Sequence, residues 1–318
     1  MAYITKFGSF WGFLPITSGR VYWVAPAASY TVEGRAYSAS NGNDGLSPEQ
    51  ALLTVDYAVG LTTANVGDVI VLLPGSHSVS ATITVDVAGI TIVGIPGSTP
   101  TPSDRGANGT ANRSQITSTE TAGMIFTVTA ANVEIAWLHL APITAGSGIS
   151  VSSVANNAYI HNCTFDLGAT ANTATMGVTL PVGLTAANVG VVVRNCYFLA
   201  RGAVGPGVRS AQTTHGLRIE SSTFELRGVT AAWALAVQHT LTASLGFSVR
   251  DCDFLCPTLT TTVITQAINT AHTADASTTV FRCFFSEGID PIGGAATGDI
   301  SVAESFVAGS TGSIAVVN

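Results

Sequence analysis

Cysteine is the residue type whose spacing in this chain points most directly to chemistry, because thiolates bind metal ions and act as nucleophiles. Four of the five cysteines recur in one short pattern, and serine takes the same place in two further copies. Each copy has an apolar residue three positions before the Cys or Ser and an apolar residue, usually Phe, two positions after it. The six copies are Ile160/Cys163/Phe165, Val193/Cys196/Phe198, Ile219/Ser222/Phe224, Val249/Cys252/Phe254, Val280/Cys283/Phe285 and Val302/Ser305/Val307.

The spacing of this pattern decides between a metal cluster and a structural repeat. Successive Cys or Ser positions lie 33, 26, 30, 31 and 22 residues apart, within the range of roughly 20 to 50 residues that marks solenoid repeats. A solenoid places one such side chain per repeat along a straight line, and the chain has no Cys-x-x-Cys motif. We therefore predict no metal, no cofactor and a buried structural ladder of Cys163, Cys196, Ser222, Cys252, Cys283 and Ser305.

Carboxylates are the second candidate chemistry, since glycosidases use two carboxyl groups roughly 5 to 9.5 Å apart and neighbouring coils can supply them. Glu225 and Asp253 occupy outward positions of adjacent repeats and are the candidate acid and base. The competing interpretation starts from Arg194, Glu220 and Arg250, which alternate in sign on three consecutive repeats as a surface charge ladder. Because the repeats carry no lysine and no nucleophile or phosphate-loop motif, we favour the ladder and predict no catalytic residue.

The elements that must position these side chains are short strands separated by bends. Side chains on one face of a strand recur every second residue, so Cys163 and Phe165 share a face, whereas Ile160 cannot belong to the same unbroken strand. Asn162 lies at the break, and Asn and Asp tolerate the left-handed conformation that a sharp bend requires. The pattern predicts a β-solenoid coil of strand, bend, strand and variable loop.

The N-terminal part of the chain differs from the repeats. Residues 1–36 form an aromatic arm, which we expect to dock on another protein or to fold back over the end of the solenoid. Residues 37–66 form a capping segment, with a short helix that starts after Ser47 and ends near Gly60. Residues 67–318 form the solenoid. The predicted partner-binding residues of the arm are Phe7, Phe10, Trp11, Phe13, Tyr22 and Trp23.

Two stretches of the chain resemble a known family. The order Asn43-Asp44-Gly45-Leu46-Ser47-Pro48, capping helix, Gly67-Asp68, Pro74-Gly75 and Gly89-Ile90-Thr91-Ile92-Val93-Gly94 resembles the opening of pectin-lyase-like right-handed parallel β-helix proteins. The phrase Val191-Val192-Val193-Arg194-Asn195-Cys196-Tyr197-Phe198 resembles their coils. The resemblance covers about residues 38 to 310 and implies an all-β, right-handed parallel β-helix. That fold serves polysaccharide lyases, hydrolases, phage tailspikes and structural virion proteins, and the opening and aromatic arm look most like phage-encoded members.

The amino-acid composition limits the classes of partner that this chain is expected to bind. The chain has 318 residues, a net charge of −7 and one lysine, Lys6, so neither nucleic acid nor an anionic membrane surface is an expected partner. No apolar run reaches the roughly 18 residues that span a bilayer. Charged residues make up only 10% of the chain, which indicates that other subunits cover part of its surface.

These observations and the resemblance together lead to a functional expectation. We expect a phage virion structural protein, assembled in the host cytoplasm, that decorates or stabilises the capsid. The expected partners are two further copies in a homotrimer and the major capsid protein or another virion protein, bound through the N-terminal arm. The alternative is a tailspike-like protein that binds or depolymerises a polysaccharide.

Overall fold

A computed structural model describes residues 18–32, 34–95, 113–119, 123–142, 146–168, 175–181, 188–201, 203–211, 214–227, 232–240, 246–256, 263–270, 277–293 and 299–307. Within these residues, most strands belong to three long sheets in which neighbouring strands are parallel. The predicted parallel β-helix is therefore confirmed. The same part of the chain contains no helix with the length and apolar character needed to cross a bilayer.

The strands are numbered along the chain and distributed over the sheets as follows. The ten-stranded sheet contains β1 (Val21–Val24), β4 (Val69–Leu72), β7 (Thr91–Gly94), β10 (Glu134–Ala136), β13 (Tyr159–His161), β17 (Val192–Arg194), β21 (Arg218–Glu220), β24 (Phe247–Arg250), β27 (Ser277–Phe281) and β30 (Asp299–Ala303). The nine-stranded sheet contains β5 (Gly75–Val79), β8 (Ser114–Ser118), β11 (His139–Ala141), β14 (Thr164–Asp166), β18 (Tyr197–Ala200), β22 (Thr223–Leu226), β25 (Asp253–Leu255), β28 (Phe284–Phe285) and β31 (Phe306–Val307). The eight-stranded sheet contains β6 (Ile83–Val85), β9 (Phe126–Val128), β12 (Ser147–Val151), β15 (Met176–Leu180), β19 (Val208–Ser210), β23 (Trp233–His239), β26 (Ile264–Thr270) and β29 (Asp290–Gly293).

The remaining elements are short. A hairpin consists of β2 (Ser29–Val32) and β3 (Arg35–Ser38), and a small parallel pair consists of β16 (Asn188–Val189) and β20 (Thr214–His215). A 3-10 turn covers Pro48–Gln50, and one α-helix, α1, covers Val55–Leu61 of the described chain.

One coil takes a strand from each long sheet in turn, for example β13, β14 and β15, before the chain returns to the first sheet at β17. Each strand pairs in parallel with its counterpart one coil later. In the ten-stranded sheet, Ile135 pairs with Ile160, Ile160 with Val193, and Val193 with Ile219. Equivalent residues therefore stack at the strand spacing of about 4.8 Å, and apolar residues at these positions form a continuous core.

The bend between the ten-stranded and nine-stranded sheets recurs in every copy of the repeat. The residue before the Cys or Ser has φ between 48° and 54° at Asn162, Asn195, Ser221, Asp251, Arg282 and Glu304. The predicted bend is thus confirmed, and it extends to Ser, Arg and Glu, which favour this conformation less than Asn does. The first five of these bends are hydrogen-bonded to the coil that follows. For example, the Ser221 N–H donates to the Arg250 carbonyl at 2.9 Å, and the Asp251 N–H to the Phe281 carbonyl at 2.9 Å.

The Cys and Ser side chains following these bends lie in one buried column. The Cys252 thiol donates to the Arg250 carbonyl at 3.2 Å, and the Ser222 hydroxyl donates to the Glu220 carbonyl at 2.9 Å. Either side chain therefore hydrogen-bonds the backbone two residues earlier, across the bend. Burial raises the pKa of the Cys196 and Cys252 thiols well above the usual value, so the neutral form that donates this bond is favoured.

Five phenylalanines stack along the interior, two positions after the Cys or Ser of the first five copies of the repeat. Their ring centroids lie 4.7 to 5.0 Å apart and successive planes differ by at most 7°. Glycines of the eight-stranded sheet face these rings: a Cβ atom on Gly177 would lie 2.6 Å from Cε1 of Phe198 and would also overlap the Gly207 carbonyl. The ring stack consequently requires glycine at this position. The stacked residues are Phe165, Phe198, Phe224, Phe254 and Phe285.

At the N-terminal end of the solenoid, the structure corrects the role predicted for two of the partner-binding residues. Tyr22 and Trp23 lie in β1, which pairs with β4, and their side chains are only 4% and 1% exposed. Tyr22 packs in the main core, and Trp23 packs against Tyr30 and Val32 of the hairpin. These two residues are structural because β1 belongs to the first coil. Phe7, Phe10, Trp11 and Phe13 lie outside the described residues.

The capping helix is shorter than predicted. Helix α1 begins after Thr54, whose hydroxyl accepts from the Tyr57 N–H at 3.3 Å. Ser47 precedes only the 3-10 turn, and its side chain makes no capping hydrogen bond. The intervening Leu52 is extended because it bridges to Val24 of the first coil, and this tertiary pairing overrides the helical pattern. Helix α1 still buries Val55 and Val59 in the core.

Substituting Gly177 tests the ring stack. We expect Gly177→Ala to lower the free energy of unfolding by about 1–3 kcal/mol, because the added methyl group overpacks against Phe198. Gly60→Ala is the matched control: Gly60 lies in α1 with no atom within 4 Å of the added Cβ, so the change should be neutral or stabilising. Urea denaturation of both variants measures the difference. Equal stabilities would contradict the assigned role of Gly177.

Candidate functional site

The outer face of the eight-stranded sheet carries a column of polar side chains. Its members pair in register from strand to strand, while the residue before each one points into the core. The column extends over seven consecutive strands, so it is roughly 30 Å long at the usual strand spacing. Its members are Thr84, Thr127, Ser150, Thr179, Arg209, Gln238 and Asn269.

Arg209 is the one guanidinium of this column, and Gln238 and Asn269 follow it on the next two strands. All three side chains are half-buried. Among the residues that the structure describes, Nε of Arg209 has no hydrogen-bond partner. The Asn269 amide donates to Oε1 of Gln266 at 2.7 Å, which holds its orientation. Guanidinium and amide groups held in this way can bind the hydroxyl and carboxylate oxygens of a ligand.

The sequence interpretation did not identify Arg209, Gln238 or Asn269. A local signal was present, because each polar residue directly follows a buried Val208, Val237 or Ile268 and fits the alternation of a strand. The alignment of the three residues in space was not visible, since loops of different length separate them along the chain.

The structure places Glu225 and Asp253 on the outer face of the nine-stranded sheet, on the adjacent strands β22 and β25. Asp253 pairs with Thr223, two positions before Glu225. Glu225 is only 4% exposed and accepts hydrogen bonds from the Tyr197 hydroxyl and from Nε of Arg227. Both carboxylate oxygens thus have protein partners, which makes Glu225 an ion-pair residue with little access to a substrate. Burial raises the pKa of the Asp253 carboxyl.

The charge ladder predicted on the ten-stranded sheet has the expected register: Arg194 pairs with Glu220, and Glu220 with Arg250. The ion pair that forms is a different one, between Nη1 of Arg218 and Oε1 of Glu220 at 3.6 Å. Half-exposed pairs of this kind contribute little to stability. The three ladder residues therefore place charge on the outer face of the ten-stranded sheet.

Within the described residues, no three His, Cys, Asp or Glu side chains lie close enough together to hold a metal ion. Two histidines are instead buried as neutral groups. His77 is 4% exposed, and its Nε2 lies 2.8 Å from the Leu73 carbonyl. Burial lowers the pKa of His77 to about 4. For His139, burial and the guanidiniums of Arg113 and Arg201 lower the pKa to about 4.

Comparison with solved structures identifies the fold. Pectin methylesterase PemA from Erwinia chrysanthemi matches with a TM-score of 0.57 and 11% identity, over 94% of this chain and 92% of that chain. The pectin methylesterase from Aspergillus niger gives 0.55 and 13%, over 96% and 93%. A rhamnogalacturonan lyase gives 0.56 and 14%, over 84% and 68%. The chain folds as a right-handed parallel β-helix, as these proteins do.

At these identities the likeness establishes the fold alone. A scan against protein-family models gives no match, and a search of curated proteins gives none either. The activities in the names of the matched β-helix proteins belong to those proteins, and the site of this β-helix must be judged from its own side chains.

The lowered pKa values of His77 and His139 predict how the stability of this β-helix depends on pH. Unfolding returns each pKa from about 4 to about 6.5, so the unfolded state binds more protons between these values and stability falls as pH drops from about 6.5 to about 4. The loss is at most about 3 kcal/mol for each histidine. Urea denaturation at pH 7, 5.5 and 4.5 measures it.

The double variant His77→Gln, His139→Gln is the control for this dependence. It should show a flatter profile across the same window, because glutamine does not titrate. An unchanged profile would assign the dependence to other groups. The hydrogen bond from His161 lowers the pKa of Glu134.

Proposed function

We propose that this protein binds a polysaccharide along the outer face of the eight-stranded sheet. The observation that carries the proposal is the in-register set of Arg209, Gln238 and Asn269, with the Arg209 Nε left without a described hydrogen-bond partner. A buried donor without a partner is uncommon in folded proteins and favours a ligand that accepts its hydrogen bond.

The dimensions of the column favour an extended polymer over a small compact ligand. Its polar side chains repeat at about 4.8 Å, a step close to the length of one sugar residue. Hydroxyl groups at Thr84 and Thr127 and amides at Gln238 and Asn269 can both donate and accept, as sugar hydroxyls do. Ser150 and Thr179 are buried, so an extended chain lying along the column would contact the side chains at its two ends. These are Thr84 and Thr127 at one end and Arg209, Gln238 and Asn269 at the other.

The matched solved structures support the same class of ligand. Their names describe pectin methylesterases and a rhamnogalacturonan lyase, which act on polysaccharides. Applied to this chain, that likeness supports saccharide recognition. Binding without cleavage fits the described carboxylates best, because Glu225 is already held by Tyr197 and Arg227. A pair of carboxyl groups open to substrate is what glycosidic hydrolysis requires.

Binding assays with defined polymers test this function. The probes are polygalacturonate, alginate and neutral xylan, measured by affinity electrophoresis and calorimetry. Arg209→Ala should raise the dissociation constant of the bound polymer about tenfold, since hydrogen bonds to charged groups contribute about 1.5–3 kcal/mol. Arg218→Ala removes the same charge from the ten-stranded sheet and should leave affinity unchanged. Release of reducing ends would show cleavage, and its loss in Asp253→Asn would return Asp253 to a catalytic role.

Two results count against the saccharide proposal. One is the absence of binding to every polymer under conditions where the protein is folded. The other is an equal loss of affinity in Arg209→Ala and Arg218→Ala, which would indicate non-specific attraction by positive charge.

A virion structural role is the second candidate, and the sparse surface charge favours it. Only 10% of residues are charged, and Val154, Val189 and Phe284 are exposed by 56%, 45% and 39%. Apolar surface of this kind is covered in assemblies. We propose a homotrimer that attaches to the major capsid protein or another virion protein through the segment containing Phe7, Phe10, Trp11 and Phe13.

Light scattering combined with size-exclusion chromatography checks the assembly. A homotrimer should elute at three times the chain mass of 32.4 kDa, and a variant lacking residues 1–17 should stay trimeric but fail to join particles. A monomer at all concentrations, or full incorporation of the shortened chain, would reject this candidate.

A further inference from the structure

A cavity of about 260 Å³ lies at the N-terminal end of the solenoid. Its walls come from the residues after β1, the start of α1, the end of β5 and the turn that leads into β6. This volume is slightly below the roughly 300 to 1,000 Å³ of sites that hold drug-sized ligands, so the cavity fits a smaller molecule. The polar side chains that line it are Thr54, Asp56, His77, Ser78, Ser80 and Thr82.

His77 is an unusual member of the interior column that contains the stacked phenylalanines. His77 pairs with Ile116, Ile116 with Leu140, and Leu140 with Phe165. The first coil therefore places a buried imidazole where the following coils place apolar side chains. A polar group at such a position costs free energy unless it finds partners, and departures of this kind from a repeat are expected at functional sites. This departure occurs at the wall of the cavity.

The hydrogen bond of His77 defines which of its ring nitrogens can accept. Nε2 lies 2.8 Å from the Leu73 carbonyl, and because a carbonyl can only accept, Nε2 carries the hydrogen. Nδ1 of the neutral ring is then an acceptor. Burial lowers the pKa of His77 to about 4, so the ring is neutral at pH 7 and keeps this acceptor.

The remaining polar lining also favours a ligand that donates hydrogen bonds. Asp56 is exposed and is the one charged residue among the described residues of the lining, so the cavity disfavours anions. The hydroxyls of Ser78, Ser80 and Thr82 can each donate and accept. These three residues occupy alternate positions of the chain, so they suit a ligand with several hydroxyl groups better than one with a single ammonium group.

Apolar side chains form the other part of the wall, at Pro26, Leu53 and Val79. Leu53 is 37% exposed, and Pro26 and Val79 are half-buried, so a bound molecule would cover apolar surface that water can reach. A pyranose ring has hydroxyl groups around its edge and C–H groups on its faces. It therefore matches both the polar and the apolar part of the lining.

We propose that this cavity binds one neutral sugar residue, with hydroxyl groups hydrogen-bonded to Asp56 and His77 and a C–H face against the apolar wall. The sugar residue is either a free monosaccharide or the terminal unit of a chain. Thr84, the first member of the polar column, directly follows the lining residue Ile83 on β6, so the cavity lies at one end of that column. Only the chain-end form rests on the proposed polysaccharide function.

Methyl glycosides of glucose, galactose, mannose and xylose are the probes for the cavity. Calorimetry and saturation-transfer NMR with the full chain should give a dissociation constant in the millimolar range for at least one of them, because a ligand of about a dozen heavy atoms gains limited affinity. Ethanolamine is the competing probe, since it offers Asp56 an ammonium group. Binding of ethanolamine without any of the glycosides, or binding of none of these probes, would overturn the proposal.

Two substitutions test the lining. Asp56→Ala should weaken glycoside binding about tenfold, because a hydrogen bond to a charged group is lost. Asp86→Ala is the matched control, since Asp86 is also exposed and lies outside the lining, and it should leave affinity unchanged. His77→Gln keeps a donor for the Leu73 carbonyl but removes the ring acceptor Nδ1, so it should weaken binding about fivefold.

Affinity and stability together separate binding from a structural role. A purely structural role of His77 predicts that His77→Gln lowers stability and leaves glycoside affinity unchanged. If Asp56→Ala and His77→Gln both bind glycoside as tightly as the original chain, the cavity is not the sugar site. Circular dichroism establishes that each variant remains folded, and the exposed Asp56 provides a test that does not disturb the core.

Oligosaccharides distinguish the two forms of the ligand. Tighter binding of a tetrasaccharide than of its monosaccharide unit, with the gain lost in Asp56→Ala, would place a chain end in the cavity. Equal binding would assign the cavity to a free sugar, and both results support the site. Arg209→Ala should weaken polymer binding only. Glycoside binding without polymer binding would therefore reject the proposed polysaccharide function and keep the cavity site, and polymer binding without glycoside binding would reject the cavity site.

Discussion

Parallel pairing of equivalent residues in successive coils is the constraint on which the rest of this structure depends. Because each strand pairs with its counterpart one coil later, the chain repeats its side chains at the strand spacing of about 4.8 Å. Residues at one position of the repeat become a column, whether they are the five stacked phenylalanines or the Cys and Ser that follow each bend. A change at one position consequently acts on the coils before and after it.

The constraint limits the choice of residue more in the interior of the solenoid than on its outer faces. Inside, packing leaves little freedom: Gly177 has no space for a side chain beside Phe198, and Ser221 accepts a left-handed φ of 48° because its N–H bonds the next coil. On the outer faces polar side chains are accommodated, and those without a partner in the protein can serve recognition. The proposed saccharide site follows from this division, since Arg209, Gln238 and Asn269 come from consecutive strands on one outer face.

The fold was predictable from the sequence because its signals are local. Two-residue alternation, the break at Asn162 and the recurring Cys and Phe require no knowledge of distant contacts. The helix near Pro48 was predicted with the wrong start because Leu52 is drawn into a bridge with Val24. Tyr22 and Trp23 were predicted to bind a partner because their aromatic surroundings do not reveal that β1 pairs with β4. The predicted pair Glu225 and Asp253 does fall on adjacent strands, yet the ion pair with Arg227 changes what Glu225 can do.

The sequence by itself determined the repeat, its bends and the apolar residues of the core, because each of these depends on residues close together in the chain. Only the tertiary structure decided which outward residues meet. Arg209, Gln238 and Asn269 become neighbours through the pairing of β19, β23 and β26. Loops of unequal length separate these residues in the chain, so their alignment follows from the register between coils.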